Sequence, residues 1–366
     1  MSEMDLQKRI NELEKQIEEY KRVIETISMM EKSERISKYL NNWKTNSKLL
    51  SLINSVNDEP IDFLSVQEEN AIRFEQERIK LEEQISWALK QTLHTDNRET
   101  IDVEVFLTKE HESYVEIIGF AGFDSDLIVT PSTINKKPVK VIGNNAFQKT
   151  KSQRIVISEP VTTIGKNAFQ KAECESIILP NSLKRIEDEA FWGCDRLVNV
   201  VMSSNIVSIG KRAFEQCINL KTINLPETLT ELGEECFYDS GLERIVLPGS
   251  INQIPPSCFF KCRKLKDVIL KDGILEIEYD AFTKTDISEI VIPKSVKQVN
   301  NKLLDCSFVA NGKTIKLVFL GRETTLIKST LRTSHIAIYC DVGSEILSEA
   351  RRMGYEVHPL SEYISS

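Results

Sequence analysis

The sequence predicts an α+β chain: a solenoid of about seven 22–23-residue repeats with capping units, preceded by an α-helical coiled-coil domain. Two observations carry this. Phe147, Phe169, Phe191, Phe214, Phe237, Phe259 and Phe282 are separated by 22, 22, 23, 23, 22 and 23 residues, each preceded by a small residue (Ala146, Ala168, Ala190, Ala213, Cys236, Cys258, Ala281). A self-similar period of this size marks stacked repeats. Ahead of them, Leu6, Ile10, Leu13, Ile17, Tyr20, Ile24 and Ile27 are spaced 4, 3, 4, 3, 4 and 3, an unbroken heptad seam.

The boundaries follow from these patterns: residues 1–95 helical, 96–138 the N-terminal cap, 139–300 the repeats and 301–366 the C-terminal cap. In the seam, Ile10, Ile17 and Ile24 share one core position and Leu6, Leu13, Tyr20 and Ile27 the other; β-branched residues at the first with Leu at the second favour a parallel two-stranded coil. A second helix is expected over about 33–56, ended by Asn57-Asp58-Glu59-Pro60, and a third from Ser65-Val66-Gln67-Glu68, which has the form of a capping box. These helices either pack as a hairpin within the chain or use Leu6–Ile27 to form a homodimer or dock a partner helix; the spacing fits both.

In the N-terminal cap, Ile101, Val103, Val105 and Leu107 alternate with polar residues, as in a half-buried strand, and Tyr114–Phe120 and Ile128-Val129 read as further strands. Each repeat then has the same parts, as in Val207-Ser208-Ile209-Gly210 through Ala213-Phe214 to Leu220-Lys221-Thr222-Ile223-Asn224-Leu225-Pro226. A Val-x-x-Ile segment lays one apolar residue inwards, and glycine is expected to allow the tight turn that follows. Ala-Phe sets a ring into the centre on a single helical turn. A Leu-x-x-Ile-x-Leu strand ends at Pro, which donates no ladder hydrogen bond. Beyond residue 301, Ile315–Leu320, His335–Tyr339 and Tyr355–Val357 read as strands, around a helix capped by Ser344 and stopped by Gly354.

This pattern resembles the BspA-type leucine-rich repeat, also called the treponemal repeat, over about residues 114–357. The resemblance implies a leucine-rich-repeat solenoid without catalytic motifs, in a family typified by surface adhesins and receptors for host or matrix proteins. The chain departs from that pattern in starting with helices and in opening on Met-Ser-Glu-Met-Asp-Leu-Gln-Lys-Arg, which carries no apolar leader run.

Side chains alternate along a strand, so both neighbours of an inward residue face out. The inward set is Ile155, Ile177, Val200, Ile223, Ile245, Val268 and Ile290. The row before it is Arg154, Ser176, Asn199, Thr222, Arg244, Asp267 and Glu289, running from basic to acidic; the row after it is Val156, Ile178, Val201, Asn224, Val246, Ile269 and Val291. At ~4.8 Å per strand the second row is expected to form an apolar ridge of roughly 30 Å. The candidate partner-binding residues are Arg154, Val156, Ile178, Asn199, Val201, Thr222, Asn224, Arg244, Val246, Asp267, Ile269, Glu289 and Val291; those for oligomerisation are Leu6, Ile10, Leu13, Ile17, Tyr20, Ile24 and Ile27.

Charge and motif content narrow the function. Forty-seven Lys and Arg against 55 Asp and Glu leave −8, with no basic block, which argues against nucleic acid and anionic membrane as partners. Most of the eight cysteines fall in repeat register, as small buried hydrophobes. The four histidines, His94, His111, His335 and His358, stand in no catalytic order, and no glycine-rich phosphate loop is present. The expectation is a cytoplasmic, non-enzymatic interaction scaffold without cofactor or metal, its helical head oligomerising or docking and its array recognising a protein. The alternatives are a sensor or regulatory subunit of a larger bacterial complex and a surface adhesin.

Overall fold

In a computed structural model, the described residues are 103–122, 127–300, 314–327 and 336–365. The heptad seam Leu6–Ile27, the two further helices expected within residues 1–95, His94, Cys306 and His335 lie outside them.

The described residues are mostly β, with only two α-helices among them, α1 (Glu345–Met353) and α2 (Leu360–Ser365). The larger helical part of the expected class falls on residues 1–95, outside the described residues. One coil follows another in parallel register, giving strands on two sides. On one side run two- to three-residue strands such as Thr163-Ile164, Arg185-Ile186 and Ser208-Ile209. On the other run Leu127–Val129, Arg154–Val156, Ser176–Ile178 and Asn199–Val201, then Arg244–Leu247 with Asp267–Leu270, then Glu289–Ile292, Ile315–Phe319, Ile336–Cys340 and Glu356–Pro359. We call this second side the strand face.

Between the two sides the rings stack. Phe147 is 1 % exposed and the six that follow are fully buried. Neighbouring centroids from Phe147 to Phe282 lie 5.0–5.6 Å apart with interplanar angles of 1–10°. Phe120 and Phe106 continue the column into the N-terminal cap, with centroids 5.6 and 6.3 Å from Phe147. The expected helical turn is not a helix. Residues two before each ring (Asn145, Asn167, Glu189, Arg212, Glu235, Ser257, Asp280) and two after it (Lys149, Lys171, Gly193, Gln216, Asp239, Lys261, Lys284) have positive φ. These left-handed flanks turn the intervening N–H groups along the stack. Phe169 N–H donates to Ala190 O at 2.7 Å, and Phe191, Phe214 and Phe259 donate to the small residue one coil on, each at 2.8 Å. The small residue lets the two backbones approach.

The glycines serve a different purpose from the one expected. Gly165, Gly210 and Gly233 are not among the positive-φ residues. A Cβ on Gly210 would lie 2.5 Å from Asp188 N, and one on Gly165 2.9 Å from Asn144 N, so these sites are bare because the preceding coil passes against them. A second ladder, of hydroxyls, runs beside the strand ends: Ser182, Ser250 and Ser295 Oγ donate to Val161, Leu229 and Ile274 O at 2.6, 2.6 and 2.8 Å.

Both caps depart from expectation in detail. Val103–Val105 is a 3-10 turn, and the strand begins at Phe106, so Phe106 points inwards and Leu107 is 53 % exposed. That strand runs antiparallel to Val115–Phe120, which then starts the parallel series. At the other end Gly354 closes α1 in the left-handed conformation, as expected. Ser344 precedes α1, but its hydroxyl donates to Asp341 O at 2.7 Å and makes no side-chain cap to the helix.

Candidate partner-binding face

Register builds the face. Arg154, Ser176 and Asn199 pair across parallel strands, as do Val156, Ile178 and Val201; Arg244 pairs with Asp267 and Val246 with Ile269. Alternation places the inward set in the core: Ile155, Ile177, Ile223, Ile245 and Ile290 are buried, and Val200 and Val268 pack partly buried against the same cluster.

The outward rows are less uniform than the pattern suggests. Arg154, Asn199, Thr222 and Asp267 are exposed; Arg244 and Glu289 are half-buried. In the apolar row Ile178, Val201, Val246 and Val291 are half-buried, while Ile269 is 40 % exposed. Val156 is a correction: it is 2 % exposed, closed in by a row in which Val129 and Ile178 hold the same register on either side of it. Thr222 and Asn224 are exposed on a stretch with no strand, so the ridge is interrupted there. Asn is poorly suited to a pleated row, and that signal was present in the sequence. The charge gradient also ends differently, because Lys316 pairs in register beside Glu289 and offsets the acidic end.

The described cysteines belong to the core. Cys174, Cys194, Cys217, Cys236, Cys258, Cys262 and Cys340 are all free and buried. Burial holds the Cys174 and Cys262 thiols up at about 12 and raises those of Cys194, Cys236 and Cys258. The thiols three residues after a ring cap the preceding coil: Cys194 and Cys262 Sγ donate to Phe169 and Phe237 O, both at 3.0 Å. Groups held neutral and bonded in this way are poor nucleophiles and poor ligands. Among the described residues no group of three or more His, Cys, Asp or Glu is placed to hold a metal ion, and no helix is long and apolar enough to cross a membrane. His111 stacks on Tyr114 and contacts Glu116 at 3.0 Å. Glu215, half-buried beside Trp192, has its carboxyl raised by burial, with Arg212 Nε 3.4 Å away acting against the rise.

One feature of the face was missed entirely. Lys316, Tyr339 and His358 extend the outward rows on three further strands, and Tyr363 of α2 reaches back to Glu289. Residues 360–363, Leu-Ser-Glu-Tyr, carry no periodicity long enough to mark a helix.

The family model described as "BspA type Leucine rich repeat region" matches in six copies over residues 116–217 and 184–308. Among solved structures, the chain is similar to a leucine-rich repeat protein of T. pallidum (20 % identity, 70 % of this chain, 96 % of that one, TM-score 0.44). It is also similar to a leucine-rich cell surface protein of Faecalibacterium prausnitzii (23 % identity, 59 % and 53 %, TM-score 0.43) and to the pneumococcal vaccine antigen PcpA (15 %, 69 % and 96 %, TM-score 0.33). No curated protein matches.

Proposed function

This chain belongs to the BspA-type leucine-rich repeat family, and on that premise we propose that it is a non-enzymatic module that recognises a protein partner through its strand face. Proteins built from these repeats generally mediate protein–protein interaction and are typically binding modules rather than enzymes. The observation that carries the reading is the half-exposed apolar row: Ile178 beside Val201, and Val246 beside Ile269, held in register by parallel strands whose inward neighbours fix the backbone. Such a row is rigid before binding, so little ordering cost falls on this side of the contact. Exposed polar residues, Arg154, Asn199 and Asp267, flank it and supply direction.

In the same proposal, residues 1–95 are the assembly handle, with Leu6–Ile27 pairing two chains or docking a partner helix. Its support is the heptad spacing. The proposed site of action is the cytoplasm, supported by seven unpaired thiols among the described residues, which a reducing compartment preserves.

Photo-crosslinking tests the face. A benzophenone amino acid at Ile178 or Val246 is expected to capture one discrete protein in the native cell. The same probe at Arg185 or Thr230, exposed near the short strands, is expected to capture none of it. Equal capture from both sides, or capture from Arg185 and Thr230 alone, removes the strand face as the site.

A further inference from the structure

The far end of the strand face is already occupied by α2 of the same chain. Tyr363, on α2, donates its hydroxyl to Glu289 Oε1 at 2.7 Å. Its ring lies 5.6 Å from that of Tyr339, and Lys316 Nζ is 5.9 Å from both ring centroids. Register puts Glu289, Lys316, Tyr339 and His358 in the two outward rows, so α2 reaches the binding side of the sheet and not its core. Val318 and Ala337, outward by the same register, are buried.

His358 fastens this arrangement. Its ring stacks on Tyr339 with centroids 5.0 Å apart. Nε2 lies 2.9 Å from Glu356 Oε1 on its own strand, and Nδ1 lies 3.0 Å from Glu362 Oε2 on α2. A carboxylate only accepts, so both contacts are hydrogen bonds only when both ring nitrogens carry a proton. With one proton lost, a bare nitrogen lone pair faces a carboxylate.

We propose that α2 is a strap over the far end of the strand face, closed while His358 is doubly protonated and released as the pH rises. The regulatory consequence rests on the reading of this face as the binding site; the strap itself rests on the contacts above. Opening would free Glu289, Lys316 and Tyr339 together. Among the described residues, the charged and titratable groups around His358 are Glu356 on its strand, Glu362 on α2 and Tyr339 on the adjoining strand, with Tyr363 of α2 and Lys316, one strand further on, both against Tyr339.

The direction follows from those neighbours. Partial burial pulls the His358 imidazole down, but the hydrogen bonds to Glu356 and Glu362 outweigh it and hold the group above its ordinary 6.5. A histidine raised on folding stabilises fully below its unfolded value, and that contribution is lost as the pH climbs through the folded value. The strap is therefore closed in mild acid and open in mild base.

Hydrogen exchange of the full chain tests this without any partner. After correction for intrinsic rates, amides of residues 361–365 are expected to exchange about two- to fivefold faster at about pH 8.5 than at about pH 5.5, the range for exposed ion pairs. His358→Gln carries its two donors on one nitrogen, in place of two nitrogens on different sides of a ring, and does not titrate, so its α2 is expected to exchange fast at both pH values. Circular dichroism of that variant reports whether the array stays folded. Equal protection of wild-type α2 at both pH values, no protection at either, or an unchanged pH response in His358→Gln overturns the strap. Each of those outcomes leaves the strand-face reading standing, since that reading is tested by capture of a partner and not by hydrogen exchange.

Discussion

Phe214→Ala is expected to destabilise the array by about 3–5 kcal/mol, the range for removing a fully buried ring from a close-packed core. The site has little room to collapse. Phe191 and Phe237 stack on Phe214 at 5.0 and 5.6 Å, and both are pinned by backbone hydrogen bonds between coils. For a domain of this size the loss corresponds to a fall in midpoint of roughly 6–20 °C. A repeat array is held only by neighbour-to-neighbour contacts, so a gap in the middle also weakens the coupling between its two halves. Thermal unfolding followed by circular dichroism is expected to broaden or split. Phe214→Leu, which keeps most of the volume and loses the parallel ring contact, should cost less. A midpoint unchanged by Phe214→Ala contradicts the packing described above.

Gly210→Ala has the next largest expected effect, and two principles disagree about its sign. Replacing Gly by Ala at a compatible position stabilises by about 0.4–1 kcal/mol, because the unfolded chain loses freedom. Here the added methyl would meet Asp188 N at 2.5 Å and Glu187 C at 2.6 Å, both backbone atoms of the preceding coil. Forcing a methyl group into packed structure costs about 1–3 kcal/mol, so the clash wins. The net expectation is a destabilisation of about 1–2 kcal/mol, read as a lower urea midpoint at unchanged slope. A stabilised Gly210→Ala would mean that the coils do not approach as closely as drawn.

These two residues show what the sequence made legible. The rings announce the stack because each must be a large apolar residue at one place in every coil; spacing alone then places Phe214 between Phe191 and Phe237. Glycine is also visible at Gly165, Gly210 and Gly233, but its reason is not. The residue type reports missing bulk without saying whether a turn or a neighbouring backbone requires it. Left-handed residues such as Glu189, Arg212 and Glu235 carry no signature at all, because the inter-coil hydrogen bonds impose that conformation on whatever residue stands there.

The face was legible to a similar degree. Alternation assigned Ile155, Ile177 and Ile245 to the core and their neighbours to the outside, since a strand leaves few choices once one residue is known to be buried. It could not grade the outside. Val156 is closed off by its own row, and Thr222–Asn224 leaves the sheet. In the N-terminal cap, alternation alone put Leu107 in phase with Ile101, Val103 and Val105, and the 3-10 turn shifted that phase by one. The strap escaped for a simpler reason. Tyr363 and Glu289 meet across 74 positions of sequence, and nothing local in either residue points to the other.

The central claim is that inward residues carry the fold while the outward apolar row is free to carry recognition. Val201→Lys combined with Val246→Lys tests it most directly, measured as retention of the protein crosslinked from Val246 alongside the unfolding midpoint. Both positions are half-exposed, so the lysine stems can lie along the face with the ammonium groups in water. The account predicts that retention is lost while the midpoint stays close to wild type. Retention unchanged in a folded double variant would contradict it.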